Sequence, residues 1–255
     1  MYLPLKRFFD ILFALLALAV LSPLFLIIIP LLRLTGEGEI FYLQKRIGYR
    51  NRPFYIWKFA TMLKNSPNIG TGTLTLRNDP RVTPLGRYLR MTKINELPQL
   101  INILKGDMSW VGPRPQVEID FLAYPADIQS IIYDVRPGLT GIGSIIFRDE
   151  EKLISESGMS PRDFYVQHIA PYKGELERWY QQQLSFFTDF LLICLTAWVV
   201  VFPHSRLPYR LFRGLPPAPG YFEGVRGRGG EGAIFATVQP QPLVERSRNE
   251  HPRVR

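Results

Sequence analysis

The stretch TKINELPQLINILKGDMSWVGPRP, residues 92–115, brings together an amide, a carboxylate and an arginine set between two prolines. Glu96 could hold a divalent cation or handle a proton. Arg114 could bind phosphate through its planar fork of donors, with Pro113 and Pro115 restricting the backbone that aims it. Arg90 lies just upstream. Such a cluster suits a diphosphate, with Mg²⁺ bridging its oxygens to Glu96. A plainer reading stands beside that one. Leu97, Leu100, Ile101 and Leu104 recur at helical spacing and Gly106 can end the helix, so Asn95 is predicted as its N-cap and Glu96 as its first residue. On helix logic alone the pair is structural, although unpaired N–H groups at a helix start also favour an anion. Arg114 would equally serve as a surface arginine in a turn, and Asp107 as the start of a loop. His168 and His204 have no partners at metal-ligand spacing, and there is no Walker, dinucleotide-binding or zinc motif.

Other elements must hold these residues. EIFYLQKRIG (39–48) and RPFYIWKFATM (52–62) carry β-branched and aromatic residues bounded by Gly, Asn and Pro, which predicts short strands or a hairpin. Thr83-Pro84 reads as an N-cap followed by proline at the first helical position. Leu85, Tyr88 and Leu89 then form one apolar face, leaving Arg87 and Arg90 on another.

From Ile11 to Leu32 no side chain is charged, and 22 residues at helical rise cover the hydrocarbon core of a bilayer, about 30 Å thick. Ser22-Pro23 interrupts that run near its middle, where proline removes a backbone hydrogen bond and kinks a helix. Basic residues flank both ends: Lys6 and Arg7 before, then Arg33, Lys45, Arg46, Arg50 and Arg52 after. Positive charge prefers the cytoplasmic side, so a helix that enters and returns satisfies both flanks. A re-entrant helix with its kink at Ser22 and Pro23 is therefore favoured over a plain span, and both over a buried core helix. A second apolar run, Phe186 to Phe202, contains Asp189 and is too short to span. It reads as an interfacial helix or a packed core helix.

The chain has 255 residues, 46% of them hydrophobic, and a net charge of +9. Its one cysteine, Cys194, excludes an intrachain disulfide. Residues 203–255 hold nine arginines, eight prolines and seven glycines, a composition that predicts a poorly ordered tail. Most of the charge excess sits there, so the body is only mildly basic and no nucleic-acid partner is expected. A tail-driven nucleic-acid protein would bind with steep salt dependence, lost when the tail is removed.

Five segments in order, KRFFDILFALLALAVLSPL, QKRIGYRNRPFYIWKFATM, NDPRVTPLGRYLR, NELPQLINILKGDMSWVGPRP and VRPGLTGIGS, resemble the bacterial sugar transferase family, the monotopic polyprenyl-phosphate phosphoglycosyl transferases. The resemblance runs from Lys6 to about Val201. It implies a helix-rich α/β fold: a re-entrant membrane helix over 1–35, a cytosolic catalytic unit over 36–202 ending in an interfacial helix, and the tail over 203–255. It also implies transfer of a sugar phosphate from a nucleotide sugar to polyprenyl (undecaprenyl) phosphate, with Mg²⁺, at the bacterial inner membrane and facing the cytoplasm. Inner-membrane lipid is then a partner, and self-association is left open. By match, Asn95 and Glu96 stand at the catalytic pair, Glu96 would meet the metal, and Arg90, Arg114, Lys58 and Arg136 would bind phosphate or substrate. Two positions depart from the family pattern. Asn95 replaces the usual nucleophilic aspartate, and Ala60 replaces an arginine between Phe59 and Thr61. An amide cannot make a carboxylate's attack on phosphorus. An active transferase working through Glu96 or by direct attack of the lipid phosphate therefore competes with a catalytically silent, membrane-bound binding or recruiting protein.

Overall fold

The computed structural model describes residues 2–69, 79–202, 205–212 and 214–220. Its first element, α1 (Tyr2–Leu34), is one helix that continues through Pro23 and Pro30. Pro23 has no N–H for the carbonyl of Ala19, and the Ser22 hydroxyl donates to that same carbonyl at 2.8 Å. Most of α1 is bare: Phe8, Leu15, Leu16, Val20, Leu26 and Ile27 are all exposed. Its length and composition suffice to cross a membrane.

Lys6 and Arg7, the basic residues read as flanking the apolar run, both bond within the protein. Lys6 is buried in an ion pair with Asp189, which also accepts from Tyr2 and from Tyr180 (2.8 Å). Arg7 donates to the carbonyls of Ile103 and Leu104 at 2.6 and 2.9 Å. Local sequence carries no sign of a partner that lies 183 positions away.

Two strands follow as an antiparallel pair, β1 (Phe41–Ile47) and β2 (Pro53–Phe59), with Phe41 opposite Phe59 and Ile47 opposite Pro53. In this register Arg46, Gln44 and Tyr42 lie opposite Phe54, Ile56 and Lys58, so Arg46 and Lys58 share one face. Then comes α2 (Pro84–Met91), where Thr83 accepts from Gly86 N–H at 3.0 Å and so caps the helix as predicted. After it, α3 (Gln99–Lys105) ends at Gly106, whose φ of 90° is in the left-handed region. The buried side of α3 is Gln99, Leu100, Asn102 and Ile103, shifted from the predicted stripe. Asn102 can be buried because its amide bonds the edge of β2, accepting from Trp57 N–H (2.9 Å) and donating to the Tyr55 carbonyl (2.8 Å).

A short parallel pair, β3 (Ser109–Val111) and β4 (Gly138–Thr140), lies beyond α3. Gly112 and Gly138 let the backbones nearly touch: a Cβ on Gly138 would sit 2.1 Å from Gly112 N. Short helices α4 (Glu118–Phe121), α5 (Ala126–Ile131), α6 (Ile142–Ile146), α7 (Glu150–Glu156) and α8 (Pro161–Phe164) lead into α9 (Ala170–Gln182). The apolar run expected as interfacial or packed is α10 (Phe186–Val201). One side of it is packed, with Asp189, Leu192, Leu195 and Val199 buried, while Phe187, Phe190 and Val201 are exposed.

α1 is the spine. Its Ala14 packs with Ile56, Leu100, Ile103 and Met108, and its Ile28 and Leu32 pack with Phe59 and Leu89. The expected tail begins too early at 203. Residues 207–211 form α11 (Leu207–Leu211), and Phe212 is buried with its ring 5.0 Å from that of Trp179. The tail beyond 220 lies outside the described residues.

Candidate active site

Asn95 is not a helix cap. It lies inside a tight helical turn, Ile94–Glu96, which the chain enters through Lys93 in the left-handed region at φ 60°. Leu97 and Pro98 then already hold right-handed helical angles. The backbone is thus helical on both sides of position 95, and the extended conformation that a cap requires is denied to it. The Asn95 side chain is buried and its Oδ1 has no hydrogen-bond partner.

Glu96 is aimed at Arg114. The guanidinium reaches Oε1 at 2.6 Å and Oε2 at 3.4 Å, a forked pair set among basic side chains. Arg114 stays in place because the turn that carries it is bonded on every side. Gly138 N–H donates to the Pro113 carbonyl (2.9 Å), the Tyr133 hydroxyl to the Arg114 carbonyl (2.9 Å), and Arg46 to the Pro115 carbonyl (3.1 Å). Tyr133 in turn accepts from Gln116 N–H at 2.9 Å.

Around this pair stand Arg46 and Lys58 from the hairpin, Arg90 from the end of α2, and Lys93 from the turn. All act electrostatically on one another or on Glu96. Burial alone would raise the Glu96 carboxyl, but Arg114, Lys58 and Lys93 outweigh it and hold the group well below the usual carboxylate range. Lys58 is driven far down from its ordinary value, first by burial and then by Arg46. Arg46 is pushed down to about 10 by burial and by Arg114, and so keeps its charge at neutral pH. Arg90 meets Glu151 at 3.2 Å on the rim. Arg46, Lys58, Lys93 and Arg114 therefore face one central carboxylate with Arg90 beside them, an arrangement of basic side chains that an added anion such as a diphosphate would balance.

The fold thus gathers Lys58, Arg90, Asn95, Glu96 and Arg114 from segments up to 56 positions apart. It does not bring Arg136 to them. Arg136 donates to the Gly106 carbonyl at 2.9 Å, at the opposite end of α3, and lies over the Tyr49 ring at 5.1 Å. Arg46 and Lys93 were not singled out in the sequence. The available signals were strand parity, which puts Arg46 on the face of Lys58, and the adjacency of Lys93 to the Asn-Glu pair.

Among the described residues, no group of three or more His, Cys, Asp or Glu side chains is placed to hold a metal. The hard oxygens at the site are the Glu96 carboxylate and the orphaned Oδ1 of Asn95. That set fits Mg²⁺ as an ion shared with substrate phosphates rather than one caged by protein.

A model described as "bacterial sugar transferase" matches residues 1–203. The exopolysaccharide production protein ExoY of Sinorhizobium fredii is 41% identical over 159 residues, covering 57% of this chain and 70% of that one. The uncharacterized sugar transferase EpsL of Bacillus subtilis is 36% identical over 196 residues, 76% of this chain and 85% of that one. The UDP-glucose:undecaprenyl-phosphate glucose-1-phosphate transferase of Escherichia coli is 36% identical over 189 residues, 73% of this chain but 39% of that longer protein.

Proposed function

The chain belongs to the bacterial sugar transferase family, and on that premise we propose that it moves a sugar phosphate from a nucleotide sugar to polyprenyl phosphate. A nucleoside monophosphate leaves, and assembly of a lipid-linked glycan (exopolysaccharide, capsule or O-antigen) begins. The observation that carries this reading is the cluster of five basic side chains at Glu96, next to residues that pack on the apolar helix α1. A charged donor and a lipid phosphate need such a place: positive enough for three phosphoryl groups, and at the edge of an apolar surface.

The state of Glu96 favours direct attack over a covalent enzyme intermediate. A carboxylate held in a forked pair, far below its ordinary range, is a poor base and a weak nucleophile. The lipid phosphate is already ionised and needs no base. Its oxygen forms the new bond to the sugar-bearing phosphorus, the bond from that phosphorus to the nucleoside monophosphate breaks, and that monophosphate carries away the electron pair. Arg114, Lys58 and Arg90 hold the phosphoryl oxygens and offset the charge that spreads over them. Mg²⁺, when bound with Glu96 and Asn95 Oδ1 as protein ligands, supplies further neutralisation of the phosphates.

The same reading puts the protein at the inner membrane with its catalytic unit on the cytoplasmic side, and makes α1 re-entrant about Ser22 and Pro23. The hydroxyl bond to the Ala19 carbonyl supports this, because it removes the unpaired group that proline would leave in lipid.

Asn95, in place of the family's aspartate, favours a second reading: a silent member that binds ligand or recruits partners. Nucleoside monophosphate release decides between the two. Membrane fraction is supplied with Mg²⁺, polyprenyl phosphate and a panel of nucleotide sugars, with Asn95→Asp and Glu96→Gln beside wild type. Turnover by wild type that is lost in Glu96→Gln supports the transferase. Turnover by Asn95→Asp alone supports the silent protein, and turnover by none of the three overturns both the direct-attack route and simple loss of a nucleophile.

A further inference from the structure

Behind the Arg114 turn lies a carboxylate that the reaction above does not use. Glu177, on α9, is 1% exposed, and neither of its oxygens has a hydrogen bond of full geometry. Such a group is costly to bury, and burial pushes its carboxyl up to about 7. The nearby Lys173 ammonium and the backbone N–H groups of Gly143 and Arg114 offset only part of that rise. Its position is tightly defined. A Cβ on Gly143 would sit 2.3 Å from Glu177 Oε1, so glycine at 143 is what makes room for the carboxylate. Lys173 is itself buried and paired with Glu150 at 2.6 Å, and Glu150 acts in turn on Arg114. Tyr124, Tyr133 and Tyr180 complete the set of titratable groups that feel Glu177.

We infer that Glu177 is a positioning residue: seated against the backbone N–H groups of Arg114 and Gly143, its carboxylate fixes the Pro113–Arg114–Pro115 turn from behind, so that the guanidinium stays aimed at Glu96. The turn's three carbonyls are tied by Gly138, Tyr133 and Arg46. Its central N–H is among the groups that draw the Glu177 carboxyl down. The inference rests on the reading of the cation cluster as a phosphate site, and its test is arranged so that the two can fail separately.

The test is a double-mutant cycle with Glu177→Gln, Arg114→Lys and the pair, read both as turnover and as affinity for inorganic pyrophosphate. Glutamine keeps the size and an acceptor, and Gly143→Ala serves as a second variant that displaces the carboxylate without removing it. Glu177→Gln is expected to weaken both readouts by about tenfold in the wild-type background and to have no further effect once Arg114 is lysine. Wild-type turnover is expected to rise with pH through about 7 as Glu177 ionises, and Glu177→Gln to lose that rise. Equal losses in both Arg114 backgrounds, or a pH profile unmoved by the substitution, overturn the inference. If no nucleotide sugar supports turnover, the transferase reading fails, and the pyrophosphate cycle still decides the role of Glu177.

Discussion

A single ion pair fixes the chemistry open to Glu96. Because Arg114 donates to both oxygens, the carboxylate stays ionised. Lysine at that position keeps the charge but not the paired donors. Arg114→Lys is expected to lower kcat/KM for the nucleotide sugar by about 100-fold, the range seen when one donor to a developing charge is removed. A loss under threefold in steady-state kinetics would count against the assignment. Position 95 shows the limit of local reading. Asn, Glu and a downstream apolar stripe make a capping pattern in the sequence, yet Lys93 turns the chain one step earlier and leaves Asn95 inside the helical turn with an unpaired Oδ1. An aspartate there would bring a second negative charge beside Glu96, so asparagine at 95 leaves the site more positive and offers no carboxylate for attack.

Helix ends and strand faces were largely legible, because local chemistry decides them. Thr83 caps α2, Gly106 ends α3, and the two aromatic segments pair as β1 and β2. Thr83→Ala removes the acceptor for Gly86 N–H and is expected to cost about 1 kcal/mol, measured by denaturant unfolding in detergent. A change indistinguishable from zero would mean that packing alone sets the start of α2. The face of α3 was less legible. A buried polar side chain such as Asn102 is tolerated only when a partner waits, and that partner is the edge of a strand 45 residues earlier. Periodicity records hydrophobicity and has no term for such a bond.

Over the whole molecule, α1 joins a bare apolar surface to the site. One side of it carries Ala14, Ile28 and Leu32 into the core and the other presents a bare apolar surface, and α10 also leaves Phe187, Phe190 and Val201 exposed. If α1 is re-entrant, both of its ends lie on one side of the bilayer. Cysteines placed at the exposed Leu3 and Leu34, in a Cys194→Ser background, are then both labelled by an impermeant maleimide from the cytoplasmic face. Labelling of one end from each face would make α1 a span. The order of motifs, the apolar run and the helix ends at Thr83 and Gly106 were determined by the sequence itself, since each depends on residues within one or two helical turns. Tertiary structure decided the rest: that Lys6 pairs with Asp189 and Arg7 with the end of α3, that Arg136 stands apart from the site, and that Arg46, Lys58, Lys93 and Arg114 converge on Glu96 with Arg90 beside them. Electrostatic and hydrogen-bond partners are set by distance in space, and a chain read residue by residue holds only distance along itself.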